Sequence, residues 1–183
     1  ALLHLRSTPP ATVLYSANPV GLGARAMMVP KGVSAFGGDY NRDDVRAVEI
    51  PSANGIGTAR AVAQLYGGAA TGGSRIGLTT EVADALRQPA RQPSGGSRDK
   101  VLGIDVDYSL GFVKPNATSY FGSSNEAFGT PGFGGSFGFA DPDTGVGFCY
   151  LMNRLGFHLA SDPRELALRR ALFGDILGAR PQT

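Results

Sequence analysis

The segment from residue 128 to residue 153 is the feature that most constrains the fold of this 183-residue chain. It reads FGTPGFGGSFGFADPDTGVGFCYLMN, and its centre, Asp141-Pro142-Asp143-Thr144, is strong turn chemistry because proline favours the second position of a turn. The pattern predicts two neighbouring strands, near 134–140 and 145–153, joined by this turn. The first strand is predicted to open on the small-residue step Thr130-Pro131-Gly132.

The second predicted strand is apolar on both faces. Its residues alternate between two sides, with Val146, Phe148, Tyr150 and Met152 on one and Gly147, Cys149 and Leu151 on the other. This pattern predicts a central strand covered from both sides. Cys149 is interpreted as a small buried hydrophobic residue. Because it is the single cysteine, an internal disulfide and a cysteine-based zinc site are excluded.

Three helices are predicted around these strands. Thr58 and Thr79 are good N-caps, with Gly67-Gly68 weakening the first helix. Asp162 caps the third, where Pro163 fits the first helical position and Glu165 completes a capping-box-like pattern. The predicted buried stripes are Val62, Leu65, Tyr66 and Ala69, then Val82, Ala85 and Leu86, then Leu168, Leu172, Phe173 and Ile176.

The rest of the chain is less regular. Residues 1–50 contain many proline and glycine breakers, which predicts an irregular segment with one short helix at most that wraps over the remainder. Residues 88–100 are predicted to form an exposed loop, followed by a strand around Tyr108–Lys114. The fold class is therefore α+β, an antiparallel sheet of at least three strands flanked by helices, with residues 51–183 as its domain.

Composition excludes several function classes. The net charge of +2 does not indicate the strongly basic surface that is typical of nucleic-acid-binding proteins. No apolar run reaches the length of a membrane span. Clusters of metal ligands are absent, and no glycine-rich loop lies in a phosphate-binding context, so we predict neither a metal nor a cofactor. The chain begins with Ala1 rather than Met, which leads us to expect a processed product or a fragment.

Several short patterns resemble hydrolase motifs. Gly134-Gly135-Ser136-Phe137-Gly138 matches G-x-S-x-G, but a hairpin rather than a helix is predicted to follow, so Ser136 is interpreted as a strand residue. A stand-alone hydrolase that uses Ser136, with His158 as base, stays as a weak alternative. His4 lacks motif context.

Two further patterns concern serine–lysine chemistry. Ser97-Arg98-Asp99-Lys100 matches S-x-x-K, which needs a helix to bring the amine to the hydroxyl, yet it lies in the most polar loop. We interpret it as solvated loop. Tyr15-Ser16-Ala17-Asn18 is similar to a Tyr-x-Asn element, with the asparagine one position late.

Three stretches together resemble the C-terminal half of the serine β-lactamase-like family, which includes class C β-lactamases, related carboxylesterases and lipases, and D-Ala-D-Ala carboxypeptidases. They are Ile50–Tyr66, with its Gly-Thr-Ala-Arg helix start, Phe128–Ser136, and the hairpin Gly138–Gly156 with Tyr-x-Met-Asn-Arg. The resemblance covers roughly residues 45–178, and it implies the C-terminal part of a β-lactamase/transpeptidase-like fold.

The resemblance also implies a site. Thr130-Pro131-Gly132 occupies the position of the family's Lys-Thr-Gly or His-Thr-Gly, which lines the substrate cleft. The backbone N–H of Phe133 would then be one oxyanion-hole donor. Thr130 stands where the family has a basic or imidazole residue, which favours an esterase or lipase acting on esters or amides over a true β-lactamase.

The family's nucleophile motifs, Ser-x-x-Lys and Tyr, lie upstream of the first matching stretch. The resemblance therefore implies a partner, an N-terminal segment that carries them and completes the sheet. An incomplete sheet would have an exposed edge, which favours a homo-oligomer. The alternative is a catalytically silent structural or partner-binding module, and the location stays open between the bacterial cytoplasm and the cell envelope.

Overall fold

The computed structural model describes residues 18, 20–27, 32–33, 38–101, 103–117, 119–156, 158 and 160–179. Its α-helices are α1 (Leu22–Met27), α2 (Asp43–Arg46), α3 (Ala59–Ala70), α4 (Thr80–Arg87) and α5 (Pro163–Arg170), which continues as a π-helix over Ala171–Ile176. Short 3₁₀ turns cover Asp39–Asn41 and Ser74–Ile76. Because α1 and α2 both lie in the first fifty residues, the expectation of one short helix at most was wrong.

In the described part of the chain, five strands form one antiparallel sheet in the order β1-β2-β3-β4-β5. They are β1 (Tyr108–Ser109), β2 (Phe112–Val113), β3 (Phe128–Pro131), β4 (Phe137–Asp141) and β5 (Val146–Tyr150). Each strand pairs with the next one along the chain. Residues 114–127 form the longest connection within the sheet, between β2 and β3. The predicted class, an antiparallel sheet flanked by helices, is confirmed.

Two strand predictions need correction. The single strand expected around Tyr108–Lys114 is a hairpin, because Leu110 and Gly111 adopt left-handed backbone angles, with φ of 49° and 85°. Thr130 and Pro131 end a strand of their own, β3, instead of opening β4. Gly134 and Gly135, with φ of 87° and 102°, reverse the chain between the two strands.

Strand β5 is covered on both faces, as predicted, but it is not central among the described strands. On one face Gly147 packs against the backbone of α3 at Gly67. On the other face Phe148 stacks on Phe139, with ring centroids 5.1 Å apart. Its only described strand partner is β4, so β5 is an edge strand of the described sheet.

Two apolar clusters hold the helices to the sheet. The cluster under α5 is aromatic, with Phe139 in contact with Phe121, Phe137 and Phe173 at centroid distances of 5.4, 5.4 and 5.9 Å. Such tilted and stacked pairs add about 0.5–1.5 kcal/mol each to the burial of their area. The cluster under α3 and α4 contains Ala70, Leu86, Phe128 and Ala140. The sheet is therefore the middle layer of three.

The predicted helix starts are confirmed by their caps. Thr58 Oγ1 accepts the N–H of Ala61 at 3.1 Å, Thr79 Oγ1 accepts that of Val82 at 3.3 Å, and Asp162 accepts that of Arg164 at 3.0 Å. Such a cap stabilises a helix by about 1 kcal/mol. Helix α3 runs through Gly67-Gly68 to Ala70, so the two glycines do not end it.

Four residues of the predicted buried stripes are exposed instead: Leu65, Val82, Leu168 and Ile176. In α4 the buried side chains are Ala83 and Leu86. In α5 the buried ones are Glu165 and Arg169, which form an ion pair with an N–O distance of 2.5 Å. The change to π-helix after Arg170 shifts the residue spacing, and it leaves Phe173 in the core but Ile176 in solvent.

Candidate functional site

The candidate site begins where β3 ends. Thr130 is exposed on the sheet face that α3 covers, opposite Gly138 of β4. The ring of Tyr66, from α3, lies directly on Gly138, where an added Cβ would stand 2.5 Å from Cε2. The phenol shares a hydrogen bond with the Thr130 side chain. Helix α3 and the end of β3 are therefore joined by a polar contact above a glycine that leaves room for the ring.

This contact affects the titration of Tyr66. Burial raises the pKa of the Tyr66 phenol above its ordinary value of 10.0, and the hydrogen bond with Thr130 partly opposes that rise. Cys149, half-buried on the neighbouring strand, also raises the pKa of Tyr66, while burial raises the pKa of the Cys149 thiol itself. Cys149 was predicted to be a buried hydrophobic residue, but it is only half-buried.

Replacing Thr130 by Val is expected to raise the pKa of Tyr66 further, because the opposing hydrogen bond is lost while burial stays. The loss should cost about 1 kcal/mol of stability. A titration of the tyrosine Cζ resonances by ¹³C NMR measures the change, with Tyr108 on β1 as the internal reference. A Tyr66 curve that does not move would contradict the assigned hydrogen bond.

The turn after β3 has a tight backbone. The N–H of Gly132 donates to the carbonyl oxygen of Ser136 at 2.7 Å, and that of Gly135 donates to the carbonyl of Gly132 at 3.3 Å. Phe133 lies at the tip of this turn and is half-buried. The structure therefore brings Thr130, Pro131, Gly132 and Phe133 together at one end of the sheet, and the oxyanion role of the Phe133 N–H stays a prediction.

One edge of β3 has no strand partner beyond Gly129 in the described part of the chain. Strand β2 pairs with β3 only between Val113 and Gly129, whereas β4 pairs with all four residues of β3. On the side of β3 that faces away from β4, Thr130 and Pro131 therefore have no strand partner in the described part of the chain. An open strand edge offers backbone groups to an incoming extended or carbonyl-bearing ligand.

A hydrogen-bond network that was not predicted from the sequence connects the β3–β4 turn to the segment after β5 and to α5. The carbonyl of Gly134 accepts hydrogen bonds from the N–H of Gly156 at 2.7 Å and from Arg164 Nη2 at 3.3 Å. Arg164 also donates from Nη1 to the carbonyl of Arg154 at 2.8 Å. Only the cap at Asp162 could be predicted from sequence, because the long-range partners of an arginine carry no local pattern.

A small cavity lies behind the turn, between the start of β4 and α5. Its lining includes Pro131, Gly135, Ser136, Tyr120 and Arg169, and it gives about 10 Å³ of space to the centre of a water molecule. That volume holds about one water. The Tyr120 hydroxyl is buried without a protein partner among the described residues. This cavity is too small to admit an ester.

The other candidate residues lie elsewhere. Ser136 lies just before β4, so its interpretation as a strand residue was wrong by one position. As predicted, a strand and not a helix follows G-x-S-x-G. Ser97 donates to Asp105 Oδ1 at 3.1 Å from an exposed loop, which confirms the interpretation of Ser97–Lys100 as loop. His4 and Tyr15 lie outside the described residues.

His158 lies between β5 and α5, near Asp162. Hydrogen bonds from Arg164 chiefly hold the pKa of the Asp162 carboxyl below its ordinary value, and the charge of His158 adds a smaller effect of the same sign.

Within the described ranges no group of three or more His, Cys, Asp or Glu side chains could hold a metal ion. Nor is any helix there long and apolar enough to cross a membrane.

Comparisons with known proteins decide the family. A family model described as Beta-lactamase matches residues 4–172. The chain belongs to the beta-lactamase family. Over 136 residues it is 37% identical to "Esterase/beta-lactamase LipL" of Mycobacterium tuberculosis (strain ATCC 25618 / H37Rv), a match that covers 73% of this chain and 29% of LipL.

Two solved beta-lactamase-like structures agree with this assignment. A family VIII carboxylesterase is 34% identical with a TM-score of 0.65, over 73% of this chain and 36% of that one. A penicillin-binding protein homologue from Caulobacter crescentus is 35% identical with a TM-score of 0.68, over 87% and 41%. The predicted relationship to beta-lactamase-like esterases is confirmed, and the chain spans well under half the length of these relatives.

Proposed function

We propose that this chain forms one wall of the acyl-transfer site of a beta-lactamase-like serine hydrolase of the esterase or lipase type. The observation that carries the proposal is the open edge of β3 at Thr130 and Pro131, next to a tight turn that presents Phe133. The esterase names of LipL and of the carboxylesterase structure support an ester substrate, and amides are the second substrate class.

In the proposed reaction, a serine hydroxyl attacks the ester carbonyl and forms a tetrahedral oxyanion. The N–H of Phe133 donates one hydrogen bond to this oxyanion, and the N–H of the nucleophilic serine donates the other. Each such donor lowers the barrier by about 3 kcal/mol. Collapse releases the alcohol, and water then hydrolyses the acyl-serine. The Thr130 hydroxyl is not basic enough to accept a proton at neutral pH. Another residue therefore accepts the proton of the serine hydroxyl and returns it to the leaving alcohol oxygen.

We propose that the serine belongs to an upstream segment with the Ser-x-x-Lys and Tyr motifs. Three observations support this partner. The chain matches only 29–41% of the length of its relatives. Ser97 and Lys100 lie in a loop, where their side chains are not set one helical turn apart. The outer edge of β5 is where further strands could extend the described sheet.

The test compares this chain alone with the same chain joined to its upstream segment. Hydrolysis of 4-nitrophenyl butyrate is expected only in the joined protein, at least about 10³-fold above the chain alone. Replacing the serine of Ser-x-x-Lys by alanine should abolish the activity, whereas the matched variant Ser136→Ala should retain it. Turnover by the chain alone that disappears in Ser136→Ala would establish the weak alternative in place of this proposal.

A catalytically silent binding module is the second candidate. It is favoured by Thr130, whose side chain stands at the position of a basic residue and shares a hydrogen bond with Tyr66. A joined protein that is folded, carries Ser-x-x-Lys and still hydrolyses neither 4-nitrophenyl esters nor a chromogenic cephalosporin would support this candidate.

A further inference from the structure

Arg164 connects three separate segments around the candidate site. Its guanidinium donates to the carbonyls of Gly134 in the β3–β4 turn and of Arg154 in the segment after β5. It also donates from Nε and Nη2 to the two oxygens of Asp162, at 2.9 and 2.7 Å. A planar, five-donor guanidinium suits such fixed, multi-directional contacts, whereas an ammonium does not.

Asp162 fixes the guanidinium in place. Its side chain is 2% exposed and caps α5, while the Arg164 side chain is 40% exposed. An added Cβ at Gly135 would stand closer than 3.0 Å to the Asp162 carboxylate, and one at Gly156 would stand 3.1 Å from Arg164 Nη2. The carboxylate therefore packs directly on the turn, and the two glycines make the room.

We propose that Arg164, anchored by Asp162, is a positioning residue that fixes the direction of the turn amides, including the N–H of Phe133. The inference rests on the proposed function, in which that N–H meets the oxyanion. Arg164 contacts the carbonyl of Gly134, which is the next residue after Phe133. That carbonyl belongs to the same peptide unit as the N–H of Gly135, which donates to the carbonyl of Gly132 at 3.3 Å. The Gly132 carbonyl shares a planar peptide unit with the N–H of Phe133, so fixing the first peptide limits the rotation of the second.

The Arg164 guanidinium lies outside the packed core, although the Asp162 carboxylate that it contacts also caps α5. The α5 side chains that enter the core or bury an ion pair are Glu165, Arg169 and, beyond the helix, Phe173. Arg164 is an exposed residue at the first turn, so its replacement removes hydrogen bonds to the turn without opening a cavity. Arg170, exposed on the same helix, is a matched control.

The experiment has two arms. In the 183-residue chain, Arg164→Met is expected to speed amide exchange at Gly135 and Gly156 by about tenfold, while β4 amides keep the wild-type rate. In the protein joined to its upstream segment, kcat for 4-nitrophenyl butyrate should fall about 10–100-fold with KM within about twofold, since a small misplacement of a catalytic group costs about that much. Arg170→Met should change neither, and guanidinium ion should partly restore kcat of Arg164→Met.

The outcomes separate the inference from the proposed function. Exchange at Gly135 and Gly156 that matches the Arg170→Met control overturns the inference, whatever the activity. Faster exchange with an unchanged kcat overturns it as well, because the turn would then move without consequence. An inactive wild-type joined protein overturns the proposed function, and the exchange arm then still decides whether Arg164 fixes the turn.

Discussion

Replacing Gly147 by alanine is expected to destabilise the protein by at least about 3 kcal/mol and to reduce its soluble yield sharply. Gly147 lies in β5 where α3 crosses it, and an added Cβ would approach the Gly67 nitrogen and the Ala63 carbonyl oxygen closer than 3.0 Å. Both atoms belong to the helix backbone, so neither can rotate away. The helix would have to lift off the sheet and expose the cluster around Ala70 and Leu86.

Urea unfolding followed by far-UV circular dichroism measures the effect. Gly95→Ala is the matched control, because Gly95 lies in the exposed loop with nothing within 4 Å of an added Cβ. That variant should stay within about 0.5 kcal/mol of the wild type. A Gly147→Ala protein that unfolds within 1 kcal/mol of wild type would show that α3 does not pack this closely on β5.

The contact between Gly67 and Gly147 also shows what the sequence could reveal. The N-caps, the proline position and the Asp141–Thr144 turn depend on neighbouring residues, so they were predictable and are confirmed. The capping-box role expected of Glu165 was wrong, because its carboxylate pairs with Arg169. Gly67 was interpreted as weakening a helix, since its role depends on a strand 80 residues away. A local pattern cannot distinguish a glycine that ends a helix from one that allows another backbone to approach.

The same limit applies to the exposed stripe residues and to the site. Leu168 and Ile176 have helical spacing, but which face a helix buries is decided by its partner and here by the π-helical shift. Thr130–Phe133 could be found as a contiguous motif, but its place at the end of β3 was not predicted, because the turn at Gly134 and Gly135 separates it from β4. Arg164 and Lys114, which act through carbonyls distant in sequence, left no motif to find.

Replacing Lys114 by methionine is expected to cost about 2 kcal/mol at pH 7 and more at alkaline pH. Lys114 is 3% exposed, and its ammonium donates to the carbonyls of Leu86 at 3.0 Å, Arg87 at 3.2 Å and Glu126 at 3.0 Å. These contacts join the end of α4 to the residue two positions before β3. Methionine fills a similar volume but leaves the three acceptors without this donor.

The pH dependence follows from the pKa of Lys114. Burial lowers it from 10.5 to about 8, and the charge of Glu126 only partly opposes the shift. Below pH 8 both the folded and the unfolded chain carry the proton, and the buried charge costs stability. Between pH 8 and 10.5 the folded protein releases the proton first, so stability rises by up to about 3 kcal/mol over the whole interval.

The methionine variant lacks this titration. The difference in free energy of unfolding between the wild type and the variant should therefore grow by about 2 kcal/mol between pH 8 and 9.5. Comparing the two proteins cancels the tyrosine titrations that both share. Lys100→Met, at an exposed loop position, should show a gap near zero at every pH. A Lys114→Met deficit that stays constant or shrinks as the pH rises would mean that the folded protein keeps this lysine charged, and that the carbonyl cage stabilises the ammonium more than burial disfavours it.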